Sequence, residues 1–148
     1  MGAPASEGRW PGREEVVVVR ALVVWVLLAV VAVANGVARN FLLEPRIGEA
    51  IAHVAGTIVL CALIFLVTLA TVGWIGPTRP LEASLIGLLW VVLTLSFEFL
   101  AGHFLFGHPW ERLLGDYNIS RGRFWILVPV VTYLAPRLAL RMRGIWSR

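Results

Sequence analysis

Hydrophobic positions run almost unbroken through four stretches of this chain, residues 16–34, 51–72, 85–106 and 124–140, and polar positions gather between them. An α-helix rises about 1.5 Å per residue, so about 20 apolar residues are needed to cross the hydrocarbon core of a bilayer. Each stretch reaches or approaches that length. The pattern predicts an all-α fold, a four-transmembrane-helix bundle that makes up a single integral membrane domain. A polar tail, residues 1–15, leads into the first span, and a basic tail, residues 141–148, follows the last.

The connections differ in kind. WIGPTRPLEAS, between the second and third spans, is a tight turn in which Pro77 and Pro80 are turn residues. Pro80 suits the first position of a helix and Glu82 its first turn, where the helix dipole favours a carboxylate. The loop from Gly36, GVARNFLLEPRIGEA, carries Arg39, Asn40, Glu44, Arg46 and Glu49. In the last loop, GHPWERLLGDYNISRGR, residues Trp110, Leu113, Leu114 and Tyr117 fall at i, i+3, i+4 and i+7, one face of a short helix beginning near Pro109. A helix with that face is expected to lie in the membrane interface, its rings at headgroup level.

Depth along the spans sorts the polar residues. Glu98 stands about 4 Å beyond the centre of the third span, and His103 lies about two turns from that centre. His53 falls at the same end of the second span, with Thr57 one turn below it. Asn35 and Arg39, at the end of the first, are four apart and share a face. These ionisable groups therefore occupy one half of the membrane. A charged carboxylate near the bilayer centre costs at least about 2.5–3.5 kcal/mol on insertion scales. Glu98 is thus expected to face the bundle interior, to pair with a cation, or to be protonated. It lies about 140° around the helix from His103, so Arg39 or His53 across the bundle is the better expected partner. Thr94 and Gly102 share the Glu98 stripe, where small residues admit a neighbouring helix.

Composition supports the membrane reading: of 148 residues 59% are hydrophobic, and the mean hydropathy is +0.82. A soluble domain of this size carries more charge than 15%. Thirteen arginines, no lysine and nine acids give a net charge of +4. The arginines sit at the ends of spans and form no basic block with interleaved aromatics, so no nucleic-acid partner is implied. One face would hold Arg9, Arg13, Arg20, Arg79, Arg137, Arg141, Arg143 and Arg148, and the other Arg39, Arg46, Arg112, Arg121 and Arg123. That imbalance favours both termini in the cytoplasm. Ala32-Val33-Ala34 fits a signal-peptidase site, but the apolar run before it exceeds the 7–15 residues of a signal-peptide core, so an uncleaved first helix is expected. The lone Cys61 excludes a disulfide within the chain and is read as a buried thiol.

The polar residues define a candidate binding set: Asn35, Arg39, His53, Glu98, His103, Glu111, Arg112, Asp116, Tyr117, Asn118 and Arg123. Together they would form an outer-leaflet pocket for a lipid-like ligand or a membrane-protein partner, in an accessory or binding component rather than an enzyme. The plainer alternative is a mutually salt-bridged polar cap above a Glu98 that only fixes helix register. A third reading makes Glu98 the proton or cation site of a small transporter or channel subunit, which with four helices per chain would need a homo-oligomer. A fourth is a metal or haem enzyme using His53, His103 and Glu98, with His108 weaker still. No H-E-x-x-H or Glu-x-x-His spacing supports it, so neither metal nor cofactor is expected. No nucleophile triad, phosphate loop or dinucleotide motif is present.

Asn35-Gly36-x-x-Arg39, Pro45-x-x-Gly48-x-x-x-Ala52-His53, Phe97-Glu98-Phe99 and Trp110-Glu111-x-Leu113-Leu114-x-Asp116-Tyr117-Asn118 followed by Gly122-Arg123 stand in this order along the chain. In these motifs, spread over about residues 35–128, the chain resembles a family of small uncharacterised bacterial membrane proteins. The resemblance implies a bacterial inner-membrane location and the grouping of these motifs. It brings no activity and no catalytic residue.

Overall fold

The computed structural model describes residues 12–105, 107, 109–115 and 124–146, and among them it is all-helical, with no strand. Helix α1 (Arg13–Ala38) passes through a wide π-helical turn (Arg39–Leu43) into a short α2 (Glu44–Ile47). Helix α3 (Glu49–Ile75) turns sharply into α4 (Pro80–Leu100), which ends in a second π-helical turn (Ala101–Leu105). A short α5 (Trp110–Gly115) and a long α6 (Leu127–Trp146) complete the order. Three helical stretches, Arg13–Ile47, Glu49–Ile75 and Pro80–Phe104, are long and apolar enough to cross a membrane. They are consistent with a multi-pass membrane protein. Helix α6 carries Arg137, Arg141 and Arg143 in its second half, which takes it outside that group.

Helical structure overruns the apolar stretches, and this corrects one expectation. The segment expected to be a loop from Gly36 continues as helix to Ile47 and breaks only at Gly48, whose φ of 81° suits a residue without a Cβ. Nothing between Gly36 and Leu43 terminates a helix, because loss of apolarity does not cost the backbone its hydrogen bonds. Pro45 sits in the first turn of α2, where its missing N–H is tolerated. The α3–α4 turn follows the sequence more closely. Gly76 caps α3 in the left-handed conformation (φ 85°), and Pro80 and Glu82 occupy the first turn of α4. Glu82 accepts the Thr78 backbone N–H at 2.8 Å and pairs with Arg13 at 2.6 Å.

The helices run antiparallel, so that two polar ends are recognisable. At the Arg13 end, Arg13 meets Glu82, Arg20 donates to the Trp74 carbonyl at 2.7 Å, and Arg143 donates to the Ala70 carbonyl at 3.3 Å. At the Glu98 end, Asn35 and Arg39 meet α3, and Trp125 meets Glu98. Between the ends lies a core of Val24 and Leu28 from α1, Leu60 and Ile64 from α3, Trp90 from α4, and Val128 and Ala135 from α6. Trp90 is fully buried, and its indole N–H donates to the Ala21 carbonyl at 2.9 Å, joining α4 to α1. The buried hydroxyls of Thr57, Thr68 and Thr132 each donate to the carbonyl one turn back, so they cost no unsatisfied group.

In hydrocarbon the lipid is as apolar as leucine, so helices associate through close packing rather than through exclusion of water. Small residues supply the closeness here. A Cβ on Gly87 of α4 would collide with the Tyr133 carbonyl of α6, and one on Gly56 of α3 would press on the side-chain stem of Arg39, just past the end of α1. Large apolar side chains such as Val26, Val30, Leu66 and Leu88 remain exposed around the outside.

The Arg13–Glu82 pair should contribute little by itself, since Arg13 is half exposed and both groups are screened by water. A double-mutant cycle with Arg13→Gln and Glu82→Gln should give a coupling no larger than the scatter of the measurement. Glu82→Ala alone should destabilise by more than that coupling, because it also frees the capped Thr78 N–H. A coupling well above that limit in a chemical-denaturation series would show a pair that water does not screen.

Candidate functional site

The expected i, i+4 stripe on α1 is present and meets α3 at one glycine. Asn35 donates its side-chain N–H to the Gly56 carbonyl at 3.1 Å. Arg39 packs its stem over the same residue and turns its guanidinium to His53, with Nη1 at 3.3 Å from Nδ1. A donating guanidinium makes Nδ1 the acceptor and places the ring proton on Nε2. Arg39 also donates from Nε to the Asn40 side-chain oxygen at 3.1 Å. The wide turn that opens at Arg39 sits at this polar end, as does the one that contains His103. Each stands a few residues ahead of a proline, Pro45 and Pro109.

Glu98 is half-buried, and Trp125 at the start of the α6 segment aims its indole N–H at the carboxylate, 3.0 Å from Oε1 and 3.1 Å from Oε2. The same indole lies 6.0 Å, ring to ring, from His53. Trp125 therefore touches both ionisable groups expected to meet across the bundle, and it joins the α1–α3 polar contact to α4. His103 belongs to another contact. Its ring stacks on Trp110 of α5 at 4.1 Å, and Phe99 stacks on the same indole at 6.3 Å. These stacks fasten α5 to the end of α4. Glu111 is exposed on α5, and the Arg112 side chain lies outside what is described. Asp116, Tyr117, Asn118 and Arg123, and likewise His108, fall outside the described residues.

A cavity of about 170 Å³ opens between α1 and α4 and is bordered by all four long helices. Trp25, Leu28 and Ala29 of α1, Leu60 and Ile64 of α3, and Val128 of α6 make its wall apolar. Glu98, Thr94 and Thr132 supply its polar atoms. The Trp25 N–H donates to the Thr94 hydroxyl at 3.1 Å, and the Trp25 ring meets Phe97 edge-on at 6.4 Å. Val33 and Phe97 form an exposed rim. Of the described members of the candidate set, only Glu98 lines this cavity; Asn35, Arg39 and His53 form the layer on the α1–α3 side.

Trp25 and Trp125 are the site residues that sequence reasoning missed. Trp125 opens the last apolar run, and its signal is chemical: an indole N–H needs an acceptor when buried. Among the described residues no group of three His, Cys, Asp or Glu side chains is placed to hold a metal ion. Comparison with family models, with curated proteins and with solved structures finds no match for this chain.

Proposed function

We propose that the chain crosses the bacterial inner membrane four times, with both termini in the cytoplasm, and acts as a binding component for a lipid-like ligand or membrane partner at its outer leaflet. Several features support four spans. Helix α6 has 20 residues, about 30 Å of rise, and its segment extends from Trp125 beside Glu98 to Arg143 beside Ala70. Its arginines then lie toward the cytoplasmic headgroups, where the positive-inside rule puts them. Helix α5 lies in the outer interface, anchored by Trp110.

The observation that carries the binding role is the apolar cavity at the α1–α4 seam with the Glu98 carboxylate on its wall. Its size sets the occupant. An engineered cavity of about 150 Å³ accepts benzene, so this one takes the end of one acyl chain or one bulky side chain. It does not enclose a whole lipid. The rest of the ligand would lie along the rim at Val33 and Phe97, with a donor group toward Glu98.

Ala29→Phe should fill the cavity and leave Glu98 in place. Native mass spectrometry of protein extracted in mild detergent should show a retained amphiphile in the wild type and roughly tenfold less in Ala29→Phe. Glu98→Gln should weaken retention of ligands with cationic heads. Equal retention by wild type and Ala29→Phe would overturn the reading. A second reading rests on the same carboxylate: Glu98 as the proton or cation site of a transport subunit built as a homo-oligomer. Ion flux into proteoliposomes that Glu98→Gln abolishes, with no amphiphile bound, would favour it.

A further inference from the structure

At the opposite end of the bundle a separate groove of about 400 Å³ runs between α3 and α6, lined by Leu66, Leu69, Ala70, Met142 and Arg143. Four of these side chains are apolar and the fifth ends in a guanidinium. We propose that this groove binds one anionic phospholipid, with an acyl chain along Leu66, Leu69 and Met142 and the phosphate on Arg143.

The guanidinium is held in position. Its Nη2 donates to the Ala70 carbonyl at 3.3 Å, and Gly73 lies directly beneath it, where any Cβ would collide with Nη1. An arginine has five N–H donors arranged as a planar fork, so one backbone carbonyl leaves most of them for a ligand. The fork matches two phosphate oxygens at once. Among the described residues no carboxylate lines the groove to compete for it. The level is also that of headgroups. Trp74, the residue after Gly73, is half exposed, and Arg20 lies over its ring at 5.2 Å. An exposed tryptophan and paired arginines at a helix end mark the membrane–water boundary. A groove that is apolar below that boundary and cationic at it complements a chain joined to a phosphate, whereas a zwitterionic headgroup would bring its own cation against Arg143.

The inference needs membrane-spanning helices only, and it is independent of the Glu98 cavity. Wild-type protein in mixed micelles should retain dioleoyl phosphatidylglycerol over dioleoyl phosphatidylcholine by about fivefold, as one surface arginine implies, read as lipid-bound peaks in native mass spectrometry. Arg143→Gln should bring that ratio near one, and Arg143→Lys should keep part of it. Leu66→Trp, which blocks the groove and leaves the charge, should lower retention of both lipids. It serves as the test should Arg143→Gln fail to fold. Arg137→Gln, at another exposed arginine of α6, should change nothing. An equal ratio in the wild type, or an equal loss from Arg137→Gln, would overturn the site and reduce the effect to net charge.

Discussion

Gly87→Ala is expected to lower the thermal midpoint of the detergent-solubilised protein by roughly 5–10 °C. A Cβ at Gly87 would overlap the Tyr133 carbonyl oxygen and lie 3.0 Å from its carbon and 3.1 Å from its Cα. All three atoms are backbone of α6, so no rotamer change relieves the clash and the two helices must separate. Overpacking of that kind costs about 1–3 kcal/mol, and in a chain of this length each kcal/mol moves the midpoint by about 2–4 °C. The contact is local but its effect is not, because α6 packs between α4 and α3 and carries Trp125 to the Glu98 carboxylate. Gly36→Ala is the matched control. It adds the same methyl to α1 where nothing lies within 4 Å, and should be neutral or stabilising by up to about 1 kcal/mol through helix propensity. If both variants melt together, α4 and α6 are not in backbone contact.

The difference between these two glycines shows what the sequence makes legible. Span positions follow from solvent: apolar runs near 20 residues long announce membrane helices whatever they pack against. The α3–α4 turn follows as well, because proline and the left-handed glycine act on their own backbone. The Asn35–Arg39 stripe is a periodicity within one helix and needs no knowledge of its partner. Helix ends are less legible, as the run of α1 through to Ile47 shows, since hydropathy measures tolerance of lipid and not hydrogen bonding. Least legible are contacts between helices. Gly36 and Gly87 are identical in sequence, yet only one faces a neighbouring carbonyl. Glu98 and Trp125 are 27 positions apart, and no spacing rule links them. Depth predicted that Arg39, His53 and Glu98 share a layer, but the indole that ties the carboxylate into that layer depends on the rotation of α6.

Trp125→Phe is expected to destabilise the protein by about 1–3 kcal/mol, the range for taking a donor from a half-buried acceptor, and to do so mainly while residue 98 offers an oxygen to that donor. Phenylalanine keeps an aromatic ring at that position but removes the N–H that lies 3.0 and 3.1 Å from the two carboxylate oxygens. Removing one partner leaves a half-buried acceptor undersupplied in a medium with little water to replace it, which costs more than the net worth of the bond. Glu98→Gln should cost less, because its amide oxygen still accepts the indole N–H. In a Glu98→Leu background the cost of Trp125→Phe should fall below about 1 kcal/mol, leaving only lost packing. A double-mutant cycle on reversible unfolding in mixed micelles measures the difference, with a coupling of roughly 1–2 kcal/mol expected. A coupling near zero would mean that the carboxylate is satisfied without Trp125. The same cycle read through ligand retention separates two roles of Glu98: a register clasp loses stability with Trp125 and keeps its ligand, whereas a binding carboxylate loses both, because the indole that orients it is gone.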